Sequence, residues 1–131
     1  MRTRNLVGVK NLSISRSRKA KGRRLQNWVR DKLLSAFPSL TEDDVSGAVM
    51  GETGVDIKLS TKAKELIPYS IECKNKETFK GIYDIMEQAS HHIKRFDTNT
   101  AIAVIKMNQQ EPLVIVNADH FIDLIKEKND N

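Results

Sequence analysis

Three charged residues, Asp56, Glu72 and Lys74, have the types and spacing needed for metal-assisted chemistry on a phosphate. Asp56 lies in the short alternating segment 55–59, and Glu72 and Lys74 lie two residues apart in the segment 69–74. Because successive side chains of a strand point to opposite faces, Glu72 and Lys74 share a face, and pairing of the two strands would bring Asp56 to it. Two carboxylates beside an ammonium group suit a hard divalent cation next to a phosphate.

Hydrolysis of a phosphodiester requires a nucleophilic water, neutralisation of charge on phosphorus and stabilisation of the leaving oxygen. Mg²⁺ takes oxygen ligands, which Asp56, Glu72 and a strand carbonyl near Cys73 would supply. Lys74 would orient the water or pair with the phosphate. The alternative is an exposed antiparallel face on which these charges, with Lys58, form only cross-strand ion pairs.

The apolar periodicity predicts an α/β domain in the order α-β-β-β-α-β-β-α, with a mixed central sheet flanked by helices. Predicted helices occupy about 18–37, 80–96 and 118–128, and predicted strands 45–50, 55–59, 69–74, 101–106 and 113–116. Residues 1–17 are predicted to be a basic flexible arm, disordered or adding an edge strand, and residues 18–131 a single domain.

The charge of the 131-residue chain is concentrated near its N-terminus. Residues 1–32 contain 11 Lys or Arg and one acidic residue, whereas residues 33–131 contain 11 Lys or Arg and 16 acidic residues. A basic segment on a mildly acidic body predicts a nucleic-acid contact surface, here for DNA. The candidate phosphate contacts are Arg23, Arg24, Arg30, Lys76 and Lys80. Trp28 falls on the apolar stripe of the first helix and is expected in the core, with a base-stacking platform as the alternative.

Other classes of protein are disfavoured by composition. The single cysteine, Cys73, permits no internal disulfide and indicates a reducing compartment, and we expect it to be a small buried strand residue. No apolar run is long enough to span a membrane, and no signal-peptide core follows Met1. His91, His92 and His120 lack the partners of a zinc site. We therefore expect a cytoplasmic protein without a small-molecule cofactor.

The segments Gly54-Val55-Asp56 and Ile71-Glu72-Cys73-Lys74-Asn75 together resemble the core motif of the PD-(D/E)xK nuclease superfamily. The resemblance covers about residues 18–106 and is strongest to small archaeal-type Holliday junction resolvases and small phage-encoded nucleases. It implies a restriction-endonuclease-like core in which Asp56 and Glu72 bind Mg²⁺ or Mn²⁺ and Lys74 assists catalysis. If the chain is phage-encoded, it would act in the host cytoplasm.

The chain departs from the superfamily pattern at two places. Val55 stands where a proline often precedes the aspartate, and the first helix lacks the glutamate that resolvase-like members direct at the metal. The fourth ligand is left open among Gln26, Asp31 and Glu52. On the second long helix, Gln88 and His92 imperfectly match the Gln-x-x-x-Tyr of RecB-like members. We count Gln88 among the candidate catalytic residues and expect His92 to be a surface histidine.

The sequence therefore predicts a metal-dependent DNA endonuclease, structure-selective or weakly sequence-selective, because 131 residues leave no room for a separate specificity module. A homodimer is expected, since one such site cuts one strand. The alternatives are a non-catalytic DNA-binding module, a RecB-like exonuclease, an RNA-directed nuclease, and a small virion or packaging protein.

Overall fold

A computed structural model of the chain describes residues 2–48, 56–78, 80–96 and 100–130, with side chains over 16–48, 56–78, 80–93 and 100–129. The fold is mixed α/β, a small mixed sheet flanked by helices. In chain order the elements are α1 (Arg2–Ala36), β1 (Val45–Gly47), β2 (Ile57–Leu59), α2 (Thr61–Leu66), β3 (Tyr69–Lys76), α3 (Ile82–Phe96), β4 (Thr100–Met107), β5 (Leu113–Ile115) and α4 (Ala118–Asp130).

The mixed sheet has the strand order β3-β4-β5. β3 and β4 pair in parallel from Tyr69↔Thr100 to Lys76↔Met107, and β5 pairs antiparallel to β4. The parallel pair is joined through α3, because parallel neighbours need a crossover connection. β1 and β2 form a separate antiparallel pair, so the mixed sheet has three strands within the described residues rather than the predicted five.

The core lies on both faces of this sheet. Ile71 and Cys73 of β3 pack in one cluster with Leu25 and Val29 of α1. The other cluster contains Ile85 and Met86 of α3 together with Ala103 and Ile105 of β4. Since strand side chains alternate, α1 and α3 cover opposite faces of the sheet, and β3 is buried from Ser70 to Cys73.

The first helix differs from the prediction, because α1 begins at Arg2 rather than near residue 18. The predicted disordered or strand-like arm over 1–17 is wrong in its secondary structure. No proline occurs before Pro38, and the Arg, Lys and Leu residues of this segment are good helix formers. Period-2 alternation in a polar, basic segment is therefore a weak sign of a strand.

The β1–β2 pair is fixed by Asp44. Its carboxylate accepts hydrogen bonds from the Thr41 amide at 2.9 Å and the Ser60 hydroxyl at 2.8 Å. These bonds lower the pKa of Asp44. Ser60 is also the N-cap of α2, accepting from the amide of Ala63 at 3.1 Å. The segment between β2 and β3 therefore contains a short capped helix, α2, next to β2.

None of the described helices combines the length and apolar character that crossing a membrane would require.

Candidate active site

Glu72 is the centre of the candidate site. Its side chain is 8% exposed, with Lys74 Nζ 3.3 Å from Oε1 and His92 Nε2 3.7 Å from Oε2. Oε2 is buried and has no hydrogen-bond partner among the described residues. A buried polar atom without a partner is unfavourable, so this oxygen is a place where a cation or a proton would be stabilised.

Asp56 lies immediately before β2, and its side chain reaches β3. Its Oδ2 accepts a hydrogen bond from the backbone amide of Cys73 at 2.7 Å. Since β2 and β3 form no backbone ladder in the described part of the chain, the carboxylate takes the place of a neighbouring strand at this position. The bond fixes Asp56 beside the residue that follows Glu72, although the strand pairing that was predicted to bring them together is not found in the described residues.

The environment of Glu72 alters the protonation of its carboxyl group. Burial, with a further contribution from the negative charge of Asp56, raises the pKa of Glu72 from 4.5 to about 7. The ammonium group of Lys74 opposes this shift. Near neutral pH the metal-free Glu72 therefore exchanges readily between its neutral and charged forms, and a divalent cation would favour the charged form.

A cleft of about 590 Å³ opens beside Glu72, between β3 and α3. Besides Glu72, its lining residues are Asp84, Glu87, Gln88, His91 and His92. Gln88 and His92 therefore face the cleft that contains Glu72, an orientation that the sequence left open. His92, expected to be a surface histidine, is 24% exposed, and its Nε2 lies 3.7 Å from Oε2 of Glu72.

The donor set can be compared with what a metal needs. Within the described residues, no group of three or more His, Cys, Asp or Glu side chains could hold a metal ion. The predicted ligand set differs from such a group of three side chains, because it combines two carboxylates with the backbone carbonyl near Cys73. Mg²⁺ usually keeps several waters, which would complete its coordination. The unpartnered Oε2 of Glu72 fits such a set.

Cys73 contributes no thiol to this site. Its side chain packs in the core cluster on the α1 face, as expected. Burial raises the pKa of the thiol, and the negative charges of Asp56 and Glu72 raise it further. A neutral buried thiol is neither a nucleophile nor a ligand, so only the backbone of Cys73 is available.

The three candidates for a fourth ligand have different positions. Asp31 is 66% exposed and pairs with Arg30 at 2.9 Å, and it is not among the residues around Glu72. The side chain of Gln26 packs closely against Gly47 of β1. A Cβ atom added to Gly47 would lie 3.0 Å from Oε1 of Gln26. Glu52 lies outside the described residues. The structure therefore argues against Asp31 and leaves Gln26 near the strand pair that ends beside Asp56.

The predicted DNA-contacting residues differ in their surroundings. Arg23, Lys76 and Lys80 are exposed, whereas Arg30 is held by Asp31. Arg24 lines a second cleft, of about 500 Å³, between α1 and the C-terminal ends of β3 and β4. Its lining residues are Lys21, Arg24, Leu25, Trp28, Asn75, Lys106, Asn108, Gln109 and Pro112.

The expected core position of Trp28 is wrong, since the residue is 43% exposed and lines this second cleft. The apolar stripe of α1 is narrower than the periodicity suggested, with Leu25 and Val29 buried and Trp28 at its margin. Sequence reasoning did not identify Lys106, because it lies in an apolar strand. Only the alternation of that strand, which places Lys106 with Val104, could have indicated its face.

No family model, curated protein or solved structure matches the chain. The resemblance to the PD-(D/E)xK superfamily therefore depends on the motif residues and their arrangement alone.

Proposed function

We propose that the chain is a divalent-metal-dependent DNA endonuclease whose active site contains Asp56, Glu72 and Lys74. The observation that carries the proposal is the buried carboxylate of Glu72, with one oxygen near Lys74 and the other without a hydrogen-bond partner among the described residues, beside a second carboxylate. Burial of one acid beside a second, half-buried acid is unfavourable in a purely structural role, and a divalent cation would reduce that penalty.

Each residue has a defined part in this proposal. Asp56 and Glu72 would hold Mg²⁺ or Mn²⁺ together with the carbonyl near Cys73. The metal, when bound, would lower the pKa of a water and neutralise charge on the phosphate. The Cys73 amide keeps the Asp56 carboxylate in one orientation. Lys74, whose side chain is 29% exposed, can contact both Glu72 and an incoming phosphate or water.

The geometry gives no reason to expect sequence reading. Basic side chains on α1 and after β3 position DNA through its phosphates, and such contacts carry no sequence information directly. We therefore propose structure-selective or weakly sequence-selective cleavage, as in Holliday junction resolvases. A non-catalytic DNA-binding module remains the alternative of a different class.

Cleavage of both strands calls for two copies of the site, and we propose a homodimer. Exposed apolar side chains on β5 and α4 offer a surface for the second copy: Leu113, Val114, Phe121, Ile122 and Ile125. Sedimentation equilibrium would measure the oligomeric state directly, with a monomer at micromolar concentration contradicting the dimer.

A RecB-like exonuclease is favoured by one observation, the presence of Gln88 and His92 in the cleft of Glu72. Covalently closed plasmid distinguishes the two activities, because an exonuclease needs an end. Nicking of closed plasmid supports the endonuclease, whereas degradation of linear DNA alone supports the exonuclease.

The proposed function is tested with labelled junction, flap, single-stranded and duplex DNA, each incubated with Mg²⁺, with Mn²⁺ or with EDTA. We expect metal-dependent products, most rapidly from a branched substrate. An Asp56→Ala protein purified in parallel controls for contaminating nucleases. Binding without cleavage of any substrate in either metal would favour the non-catalytic module.

A further inference from the structure

The second cleft, on the α1 face of the sheet, combines three kinds of side chain that recognise different parts of a nucleotide. Trp28 supplies an aromatic ring, and Lys21, Arg24 and Lys106 supply positive charge. Asn75, Asn108 and Gln109 supply amide donors and acceptors. Among the described residues, no acidic side chain lines this cleft, whereas the cleft beside Glu72 contains three carboxylates.

Trp28 is available to a ligand in this cleft. The residue is 43% exposed. Trp28 also lines a neighbouring apolar cavity together with Lys32, whose Nζ lies 5.5 Å from the ring centroid, and Lys32 does not line this cleft. An exposed aromatic ring amid cations is the usual platform for stacking an unpaired base, since every base has a π-face.

Asn75 is oriented by α1. Its Nδ2 donates a hydrogen bond to the backbone carbonyl of Lys21 at 3.3 Å. Because a carbonyl oxygen can only accept, the nitrogen of the Asn75 amide faces Lys21. The Oδ1 atom is buried and has no hydrogen-bond partner in the part of the chain that the structure describes. An acceptor without a partner in the wall of a polar cleft is a position at which a ligand donor would be favourable.

The turn between β4 and β5 closes the cleft on its other side. Gln109 has a φ of 60°, a conformation that a non-glycine residue seldom adopts, and the amide of Gln110 donates to Met107 at 3.1 Å. Such strain is retained where the surrounding structure holds it, often at ligand sites. A volume of about 500 Å³ lies within the range of about 300–1,000 Å³ for ligand pockets.

We infer that this cleft binds an unpaired nucleotide of a single-stranded nucleic acid, with the base stacked on Trp28 and its flanking phosphates beside Arg24 and Lys106. In a paired duplex the faces of the bases are stacked inside the helix, so the cleft would select single-stranded segments. Asn75 and Lys74 alternate on β3, so the nucleotide site lies on the opposite face of the strand from Glu72. The inference goes beyond cleavage and does not require it.

Trp28 is the chain's only tryptophan, so its fluorescence reports on this cleft directly. We would titrate the protein in EDTA with a dT dodecamer, the same strand in a duplex, and an abasic dodecamer that has the phosphates without the bases. The dT strand should quench the fluorescence, and the duplex and the abasic strand should not. An rU dodecamer distinguishes RNA from DNA as the source of the nucleotide.

Variants separate stacking from charge. Because these variants remove the fluorescent ring, their binding is measured by the anisotropy of an end-labelled strand. Trp28→Leu should weaken binding of the dT dodecamer by about fivefold or more, the lower range for one base stack, whereas Trp28→Phe should remain within about threefold of wild type. Lys106→Ala should weaken binding of both dT and abasic strands, with Lys126→Ala on α4 as the matched control that lines neither cleft.

Equal quenching by the dT and abasic strands would overturn the inference, as would a Trp28→Leu protein that binds dT within twofold of wild type. All of these measurements are made in EDTA. A protein that cleaves nothing can therefore still confirm the nucleotide site, and an active nuclease can still refute it.

Discussion

At the scale of single residues, Glu72 has the most unusual environment in the described part of the site. The strand alternation that places Ile71 and Cys73 in one core cluster turns Glu72 toward α3, where burial and Asp56 raise its pKa to about 7. Burial of such a carboxyl group destabilises the folded protein little when the group is neutral and more when it is charged. The metal-free protein therefore loses stability when Glu72 ionises.

This effect has a definite sign and pH range. Because the folded pKa of Glu72 lies above the unfolded value, its contribution to stability is fully present below about pH 4.5 and is lost as pH rises through about 7. In EDTA, Glu72→Gln should be more stable than wild type at pH 8, and this advantage should shrink on acidification. Thermal unfolding midpoints from pH 4.5 to 8 measure it.

The exposed Glu65 of α2 offers a matched control, since Glu65→Gln removes the same charge from the surface. The Glu72→Gln difference from wild type should vary with pH more than the Glu65→Gln difference does. A Glu72→Gln difference that is equally flat would contradict the burial and coupling described here.

Gln88 tests the other wall of the cleft. If it positions the substrate or the attacking water, Gln88→Ala should lower the single-turnover cleavage rate by about ten- to a thousandfold, with little change in DNA affinity. Ser90→Ala, exposed on the same helix, controls for changes in α3. Rates within twofold of wild type for both Gln88→Ala and His92→Ala would exclude the RecB-like site.

Strand alternation is a local rule, and it was sufficient to predict that Glu72 and Lys74 share a face of β3. The predicted pairing of 55–59 with 69–74 does not occur in the described residues, and Asp56 reaches β3 through its side chain instead. The sequence could not place Gln88 or His92, since the rotation of α3 about its axis depends on the packing of Ile85 and Met86 against β4. For the same reason the exposure of Trp28 followed from tertiary packing rather than from helical period.

At the scale of elements, the parallel β3–β4 pair and its crossover helix α3 form the frame of the site. Two predicted segments, 45–50 and 55–59, proved to be three-residue strands in the described residues, and they pair with each other rather than extending the mixed sheet. Sequence patterns indicate where strands lie but not which strands pair, because pairing depends on contacts distant in the chain.

The basic segment at the start of α1 gives the element-scale prediction. Replacing Arg2, Arg4, Lys10 and Arg16 with Gln should weaken duplex binding and make the salt dependence shallower by about 0.9 for each phosphate that the variant no longer neutralises. Fluorescence anisotropy from low to moderate salt measures the slope. A slope equal to that of wild type would place the duplex-binding surface on the later part of α1 and the segment after β3.

At the scale of the whole molecule, two clefts of opposite character lie on the two faces of one sheet. The cleft beside Glu72 is acidic and suits a cation, whereas the cleft beside Trp28 is basic and suits a nucleotide. A substrate with both paired and unpaired segments could occupy both faces of β3. This arrangement is a physical reason to expect preference for branched over uniform duplex DNA.

The most direct test of metal-dependent cleavage at the Asp56–Glu72 pair is nicking of supercoiled plasmid by wild type, Asp56→Asn and Lys58→Ala in Mg²⁺. Asp56→Asn removes the charge while retaining a side-chain oxygen near the Cys73 amide, and the exposed Lys58 is a nearby control on β2. We predict metal-dependent nicking by wild type and Lys58→Ala, and a rate at least about a hundredfold lower for a folded, DNA-binding Asp56→Asn protein. Nicking by Asp56→Asn at the wild-type rate would contradict the account.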